Sequence, residues 1–186
     1  EDIVSIISFL RTQEPVKHVV KPTEYKFLGK ALLALGVLKP EGPKNSPPKS
    51  VVKDTTKEYG MYMAKYVANC VGCHTERDMK TGEFIGKPFA GGLRFEPDAF
   101  SQGYSFITPN LTPDKETGIL ASWDENTFVK RLHSGRVHNG SPMPWGAFSR
   151  INDTELKAIY AFLMSLDPVS NKIDKVVFAP GEKMPE

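Results

Sequence analysis

The chain has 186 residues, room for one ordinary domain with additions or for two very small ones. Its 40% apolar and 25% charged content is that of a folded globular protein, and a net charge of only +2 lacks the clustered basic excess of a nucleic-acid binder. The longest apolar run, Ala31 to Leu38, is too short to span a bilayer.

The chain opens at Glu1 inside a helical pattern, with no initiator Met, basic n-region or cleavage pattern before it. It is expected to be a processed or excised piece of something longer. Residues Asp2 to Val16 read DIVSIISFLRTQEPV, and Glu155 to Val169 read ELKAIYAFLMSLDPV. The two align without a gap, pairing Ile3 with Leu156, Ile6 with Ile159, Phe9 with Phe162, Leu10 with Leu163 and Pro15 with Pro168. Both patterns are amphipathic helices stopped by proline. The first is expected to close a preceding domain whose bulk is missing.

Residues Glu24 to Leu38 form a short apolar connecting helix. Lys39 to Lys53 hold four prolines and several lysines and read as a semi-rigid linker. The expected organisation is therefore a helical remnant plus connecting helix over 1–38, a linker over 39–53, and an intact domain with a C-terminal tail over 54–186. Within that domain Asp54 can cap a helix running to about Asn69, with Tyr59, Tyr62, Met63, Tyr66 and Val67 on one face. Thr75 to Gly118 is mostly loop. Asp124 to His133 reads as a helix capped at Ser122 or Asp124 and closed by Gly135. Gly140 to Arg150 is a Pro-bracketed loop. Asp153 to Leu166 is the last helix, begun by Asn152-Asp153-Thr154, and Asp167 to Glu186 is a tail. No segment sustains period-2 alternation, so the expected fold class is all-α, three or more helices with long loops.

The two cysteines lie in one window, Cys70-Val-Gly-Cys73-His74. Cys-x-x-Cys-His is the attachment pattern of c-type haem. Two thiols three positions apart can add to the vinyl groups of neighbouring pyrroles, and the next residue, His74, then lies beneath the iron. A zinc site would need two further Cys or His at metal-binding spacing, and a thioredoxin-type pair would need a βαβ context; the sequence offers neither.

The other axial position is assigned to Met143, in Ser-Pro-Met-Pro-Trp. A proline on each side restricts the backbone and can aim the thioether. The best non-methionine alternative is His138. Met61 and Met63 lie on the helix leading into the attachment site. Met79 is five residues past His74, little chain to round the macrocycle. Met164 and Met184 belong to the last helix and the tail. His18 and His133 are expected at the surface or in packing. Phe89, Leu93, Phe106, Ile107, Leu111, Phe128, Leu132, Trp145 and Phe148 can build the apolar cage.

Taken in order, Cys70 to His74, Gly91-Gly92-Leu93, Asn110-Leu-Thr-Pro-Asp114, Thr117-Gly118-Ile119, Trp123, Phe128, Gly135, Met143-Pro-Trp145, Phe148 and Ala158 to Leu163 resemble the class I cytochrome c domains of multihaem cytochrome subunits. The nearest likeness is to those serving membrane-bound alcohol and gluconate dehydrogenases. It covers about Asp54 to Val169. The resemblance implies the cytochrome c fold around one covalent haem c, with the first and last helices crossing near Gly60 against Ile159, Tyr160 and Leu163. It implies His74 and Met143 as axial ligands and the Asn110 to Thr112 loop near the propionates. It also implies tandem domains, which fits the N-terminal helix as a remnant and predicts another Cys-x-x-Cys-His upstream of Glu1.

The candidate cofactor-binding set is Cys70, Cys73, His74, Gly92, Leu93, Ile107, Asn110, Leu111, Thr112, Phe128, Leu132, Pro142, Met143, Trp145 and Phe148, with His74 and Met143 on the iron and no catalytic residue. The expected function is one-electron relay, not enzyme catalysis. The alternatives are a peroxidase or small-oxidant reductase, or a gas or redox sensor; each needs a labile sixth ligand. Expected partners are redox proteins on the dehydrogenase or terminal-oxidase side. The expected location is periplasmic or otherwise extracytoplasmic, with any membrane attachment carried by parts outside this sequence.

Overall fold

The computed structural model describes residues 1–37, 46 and 48–185 and divides into two units, Glu1–Val51 and Val52–Glu186. The first holds α1 (Asp2–Arg11) and α2 (Phe27–Ala34). Asp2 and Arg11 sit at the ends of α1 that favour their charges. Neither helix buries a residue, and the apolar face of α1, Ile3, Ile6, Phe9 and Leu10, stays exposed. Most of the linker expected at 39–53 lies outside the described residues.

The second unit begins with α3 (Lys57–Tyr62), capped by Thr56, whose hydroxyl accepts from the Tyr59 amide at 3.3 Å. Asp54, the expected cap, stands one step back and accepts from the Thr56 amide and hydroxyl. The expected single helix to about Asn69 is α3 continued directly by a π-helical turn, and it ends at Val67. Met63–Val67 forms a π-helical turn, Asn69 takes a left-handed conformation with φ 51°, and α4 (Cys70–Cys73) is one separate turn. The wider π-turn shifts the buried stripe. Tyr59, Gly60, Met63 and Ala64 face inward, while Tyr66 and Val67, expected on that face, are exposed.

The remaining helices are α5 (Glu125–His133), α6 (Trp145–Phe148) and α7 (Asp153–Met164). Asp124 caps α5 through the Thr127 amide at 2.7 Å, and Asn152 caps α7 through the Glu155 amide at 3.0 Å. Gly135 closes α5 at φ +71°. The segment expected as loop over 140–150 contains α6, one turn entered from Pro144.

The all-α expectation is corrected by a small antiparallel sheet, β1 (Arg94–Phe95), β2 (Ser105–Ile107) and β3 (Val177–Phe178), in the order β1-β2-β3. Strands of two or three residues are too short for alternation to show, and β2 is buried along its whole length. The expected tail is likewise folded. It supplies β3, and the Asn171 side chain donates to the Ala90 carbonyl at 2.9 Å.

Helices α3 and α7 cross where Gly60 meets Ala158. A Cβ on Gly60 would stand 1.8 Å from the Ala158 carbonyl oxygen and 2.8 Å from Phe162 Cβ. The crossing expected at Gly60 is present, and Ala158 and Phe162 are its immediate partners. Helix α5 lies on α7 through Phe128 and Tyr160, with ring centroids 5.6 Å apart, and through His133. The His133 ring reaches the Ser149 carbonyl at 2.9 Å through Nδ1 and Asp153 Oδ1 at 2.8 Å through Nε2. Both partners are acceptors, so the doubly protonated ring suits the site, and the pKa rises, first through the Ser149 carbonyl and then Asp153.

Two measurements test this packing. Gly60→Ala is expected to lose about 1–3 kcal/mol in chemical denaturation through overpacking, despite the ~1 kcal/mol that Ala gains over Gly in a helix. Gly146→Ala, with nothing within 4 Å of the new Cβ, is expected to be neutral or stabilising. Equal stability of the parent and Gly60→Ala proteins contradicts the crossing. The His133 pKa is raised in the fold, so its contribution is complete below the ordinary value of 6.5 and is lost as pH rises through the raised value. The urea-midpoint difference between the parent and His133→Gln is therefore largest below pH 6.5, down to the carboxylate range, and shrinks above it. A difference that grows with pH contradicts this pairing.

Candidate functional site

The second unit encloses a cavity of about 580 Å³ with a predominantly apolar wall. One part of the wall is α4. Cys70 and Cys73 lie on it, three positions apart on a single turn, and His74 follows at its end. The left-handed Asn69 sets the direction of that turn. Gly72 packs so tightly on Asn69 that an added Cβ would fall 2.5 Å from its side-chain amide nitrogen.

The His74 ring is held by its neighbours. Nδ1 lies 3.0 Å from the Pro109 carbonyl oxygen, which can only accept, so Nδ1 carries the proton. This leaves Nε2 with its lone pair free for a metal, the usual arrangement behind a ligating imidazole. The His74 carbonyl accepts from the Gly91 amide at 2.9 Å, tying the two loops together. Desolvation lowers the His74 pKa, which keeps the ring neutral, as a ligand must be. Burial pushes the Cys70 thiol up to about 11 and raises Cys73 as well. A site that disfavours thiolates suits sulfur held as an uncharged thioether.

Of the six methionines, Met143 alone lies on the cavity wall, between Pro142 and Pro144, which also line it. Met63 is buried in the helix crossing, and Met61, Met79 and Met164 are exposed. His138 lines the cavity too. His133 does not, because both its ring nitrogens are engaged with α7 and the residues before it.

The structure brings Cys70, Cys73, His74, Ile107, Leu111, Phe128, Leu132, Pro142, Met143, Trp145 and Phe148 of the expected set to one cavity. It does not bring Gly92, Leu93, Asn110 or Thr112 there; they act behind the wall. Gly92 takes φ +92° and donates its amide to the Thr108 carbonyl, while Leu93 is buried and its amide donates to the Thr108 hydroxyl. Asn110 is fully buried. Its Nδ2 donates to Val169 O at 2.8 Å and to the Thr117 hydroxyl, while its Oδ1 accepts from the Thr112 amide and hydroxyl. That network fixes the loop whose Pro109 carbonyl orients His74. Phe89, expected in the cage, packs on Phe162 instead, with centroids 5.5 Å apart.

Sequence reasoning missed part of the wall. Leu156, Ile159 and Leu163 line it from α7, yet their periodicity reads equally well as helix packing. Val176 and Val177 come from the segment taken as a tail, and no local pattern marks them. Arg131 also lines the cavity, with its guanidinium 4.0 Å from the centre of the Trp145 ring. Among the described residues no carboxylate reaches the wall. A large apolar cavity with two thiols, one oriented neutral imidazole and one thioether fits a covalently bound haem with axial nitrogen and sulfur.

Comparison with known proteins agrees with this chemistry. The cytochrome c family profile matches residues 62–167. The gluconate 2-dehydrogenase cytochrome c subunit of Pantoea cypripedii is 35% identical over 115 residues, covering 60% of this chain and 23% of that protein. The cytochrome c subunit of alcohol dehydrogenase (quinone) from Gluconobacter oxydans (strain 621H) is 33% identical over 109 residues, 56% of this chain and 20% of that protein. The fructose dehydrogenase cytochrome subunit of Gluconobacter japonicus is 31% identical over 110 residues, 57% of this chain and 20% of that protein. The chain thus spans less than a quarter of the length of each of these relatives. With the attachment pentapeptide, the oriented imidazole and the matching profile in one domain, the chain belongs to the cytochrome c family.

Proposed function

We propose that this domain relays single electrons through one haem c bound to Cys70 and Cys73, with His74 and Met143 as its axial ligands. The bound haem would supply an iron that cycles between ferric and ferrous states. The observation that carries the reading is that Met143, alone of the six methionines, shares a cavity with the oriented His74. With the haem bound, a Met143 thioether on its iron would favour the ferrous state and raise the potential. It would also fill the position that a peroxidase, reductase or gas sensor needs open.

The chain's own residues supply the rest. Pro109 fixes the imidazole tautomer, Leu132, Phe128 and Leu163 exclude water, and the prolines around Met143 limit the thioether's movement. The electron partner is a dehydrogenase, by analogy with the relatives, which are cytochrome c subunits of gluconate and alcohol dehydrogenases. The parent carries several haem domains in tandem and works outside the cytoplasm. Supporting the tandem reading, α1 repeats the apolar pattern of α7, and its apolar face is exposed where that of α7 is buried. Among the described residues no helix is long and apolar enough to cross a membrane.

The oxidised haem-loaded protein is expected to be low-spin, with the near-infrared sulfur-to-iron band of His/Met ligation. Met143→Ala is expected to abolish that band and to open the reduced iron to carbon monoxide. Survival of the band in Met143→Ala assigns another methionine. A high-spin parent that binds carbon monoxide rapidly overturns the relay reading.

A further inference from the structure

The loop from Gly135 to Trp145 brings two metal-binding side chains to one cavity, His138 and Met143. The loop is pinned at Gly140, which is buried at φ +70°. Its Cβ position lies 2.0 Å from the Ser101 carbonyl oxygen, so only glycine fits. His138 stands on one side of that pin and Met143 on the other. The His138 side chain is exposed, and its imidazole has no hydrogen-bond partner among the described residues.

The Met143 side of the pin is closed by Trp145. Its backbone amide donates to the Met143 carbonyl at 2.8 Å, and its indole N–H donates to the Ser141 hydroxyl at 3.0 Å. Trp145 is therefore joined to this short segment twice, to Ser141 through its ring and to Met143 through its backbone. Arg131 of α5 lies over the ring at 4.0 Å. The same guanidinium donates to the Gly135 carbonyl at 2.9 Å and to the Ser134 hydroxyl at 3.2 Å, at the end of α5 where the loop begins. One side chain thus spans the loop's two ends, the helix terminus at Gly135 and the Trp145 ring.

We propose that Arg131 is a positioning residue for this loop: by stacking on Trp145 while gripping the end of α5, it keeps Met143, and not the nearby His138, as the side chain offered to the iron. The inference rests on the Met143 reading above. Imidazole is a good ligand for iron and is the stronger competitor for the ferric state. A loop freed from Trp145 can retreat at Met143 and advance at His138. Lysine cannot fully replace Arg131: one nitrogen makes both hydrogen bonds, which an ammonium can match, but lysine lacks the planar face that stacks on the indole.

The test uses the oxidised, haem-loaded protein, with far-ultraviolet circular dichroism as the check on folding. Arg131→Gln is expected to lose most of the near-infrared sulfur-to-iron band while staying low-spin, with a lowered reduction potential as nitrogen replaces sulfur. The double variant Arg131→Gln/His138→Ala is expected to regain the band. Arg131→Lys is expected to lose part of the band, and it carries the test should the glutamine variant not fold. An undiminished band in Arg131→Gln, or in Arg131→Lys where the glutamine variant does not fold, overturns the proposal. So does a band that stays absent when His138 is also removed. A parent protein without the band overturns the Met143 reading instead, and the two failures are distinguishable.

Discussion

An apolar cavity of about 580 Å³ stands where the unit from Val52 to Glu186 would otherwise keep its interdigitated side chains. Interiors are packed to crystal-like density. A group that fills this space is structural as well as functional. The secondary structure is arranged as its container. The α3–α7 crossing forms a rigid base, tightened at Gly60 to backbone contact. Helix α5, the small sheet and the Met143 loop complete the wall.

The container depends on polar groups that never touch the cavity. Asn110 is the clearest case. Burying an amide without partners costs several kcal/mol, and here its carboxamide meets Thr112, Thr117 and Val169. These bonds join the loop beyond β2 to the chain after α7, and the Val169 amide returns a bond to the Thr112 hydroxyl. The loop so fixed presents the Pro109 carbonyl to His74. Orientation of the imidazole is therefore decided by a buried hydrogen-bond network one layer back, and the motif Asn-Leu-Thr-Pro reads as a bracket for the ligand rather than as part of the lining.

The helices and the chemistry were legible in the sequence because each leaves a local mark. Asn152 and Asp124 announce their helices by capping, Gly135 ends one, and Cys70 to His74 carries its function in five residues. Met143 stood out by its flanking prolines. What was not legible depends on partners distant in the chain. The π-turn at Met63 to Val67 leaves no compositional trace, so the exposure of Tyr66 and Val67 went unseen. The strands are too short for periodicity to identify. Val177 joins the sheet because Phe106 offers it a register, not because of its own neighbours. Gly92, Leu93, Asn110 and Thr112 are expected in the lining and lie off it, because a sequence pattern cannot separate residues that line a cavity from those that hold the lining in place.

The placement of both cysteines on one isolated turn has a consequence for how a bound group would be held. Cys70 is half-buried. Cys73, three positions on, stays exposed, so the two sulfurs of one turn face different surroundings. Their turn is fixed at its start by the left-handed Asn69, against which Gly72 packs to contact. A group joined to both sulfurs would therefore move only as α4 moves, tethered to a short rigid element and not to a flexible loop.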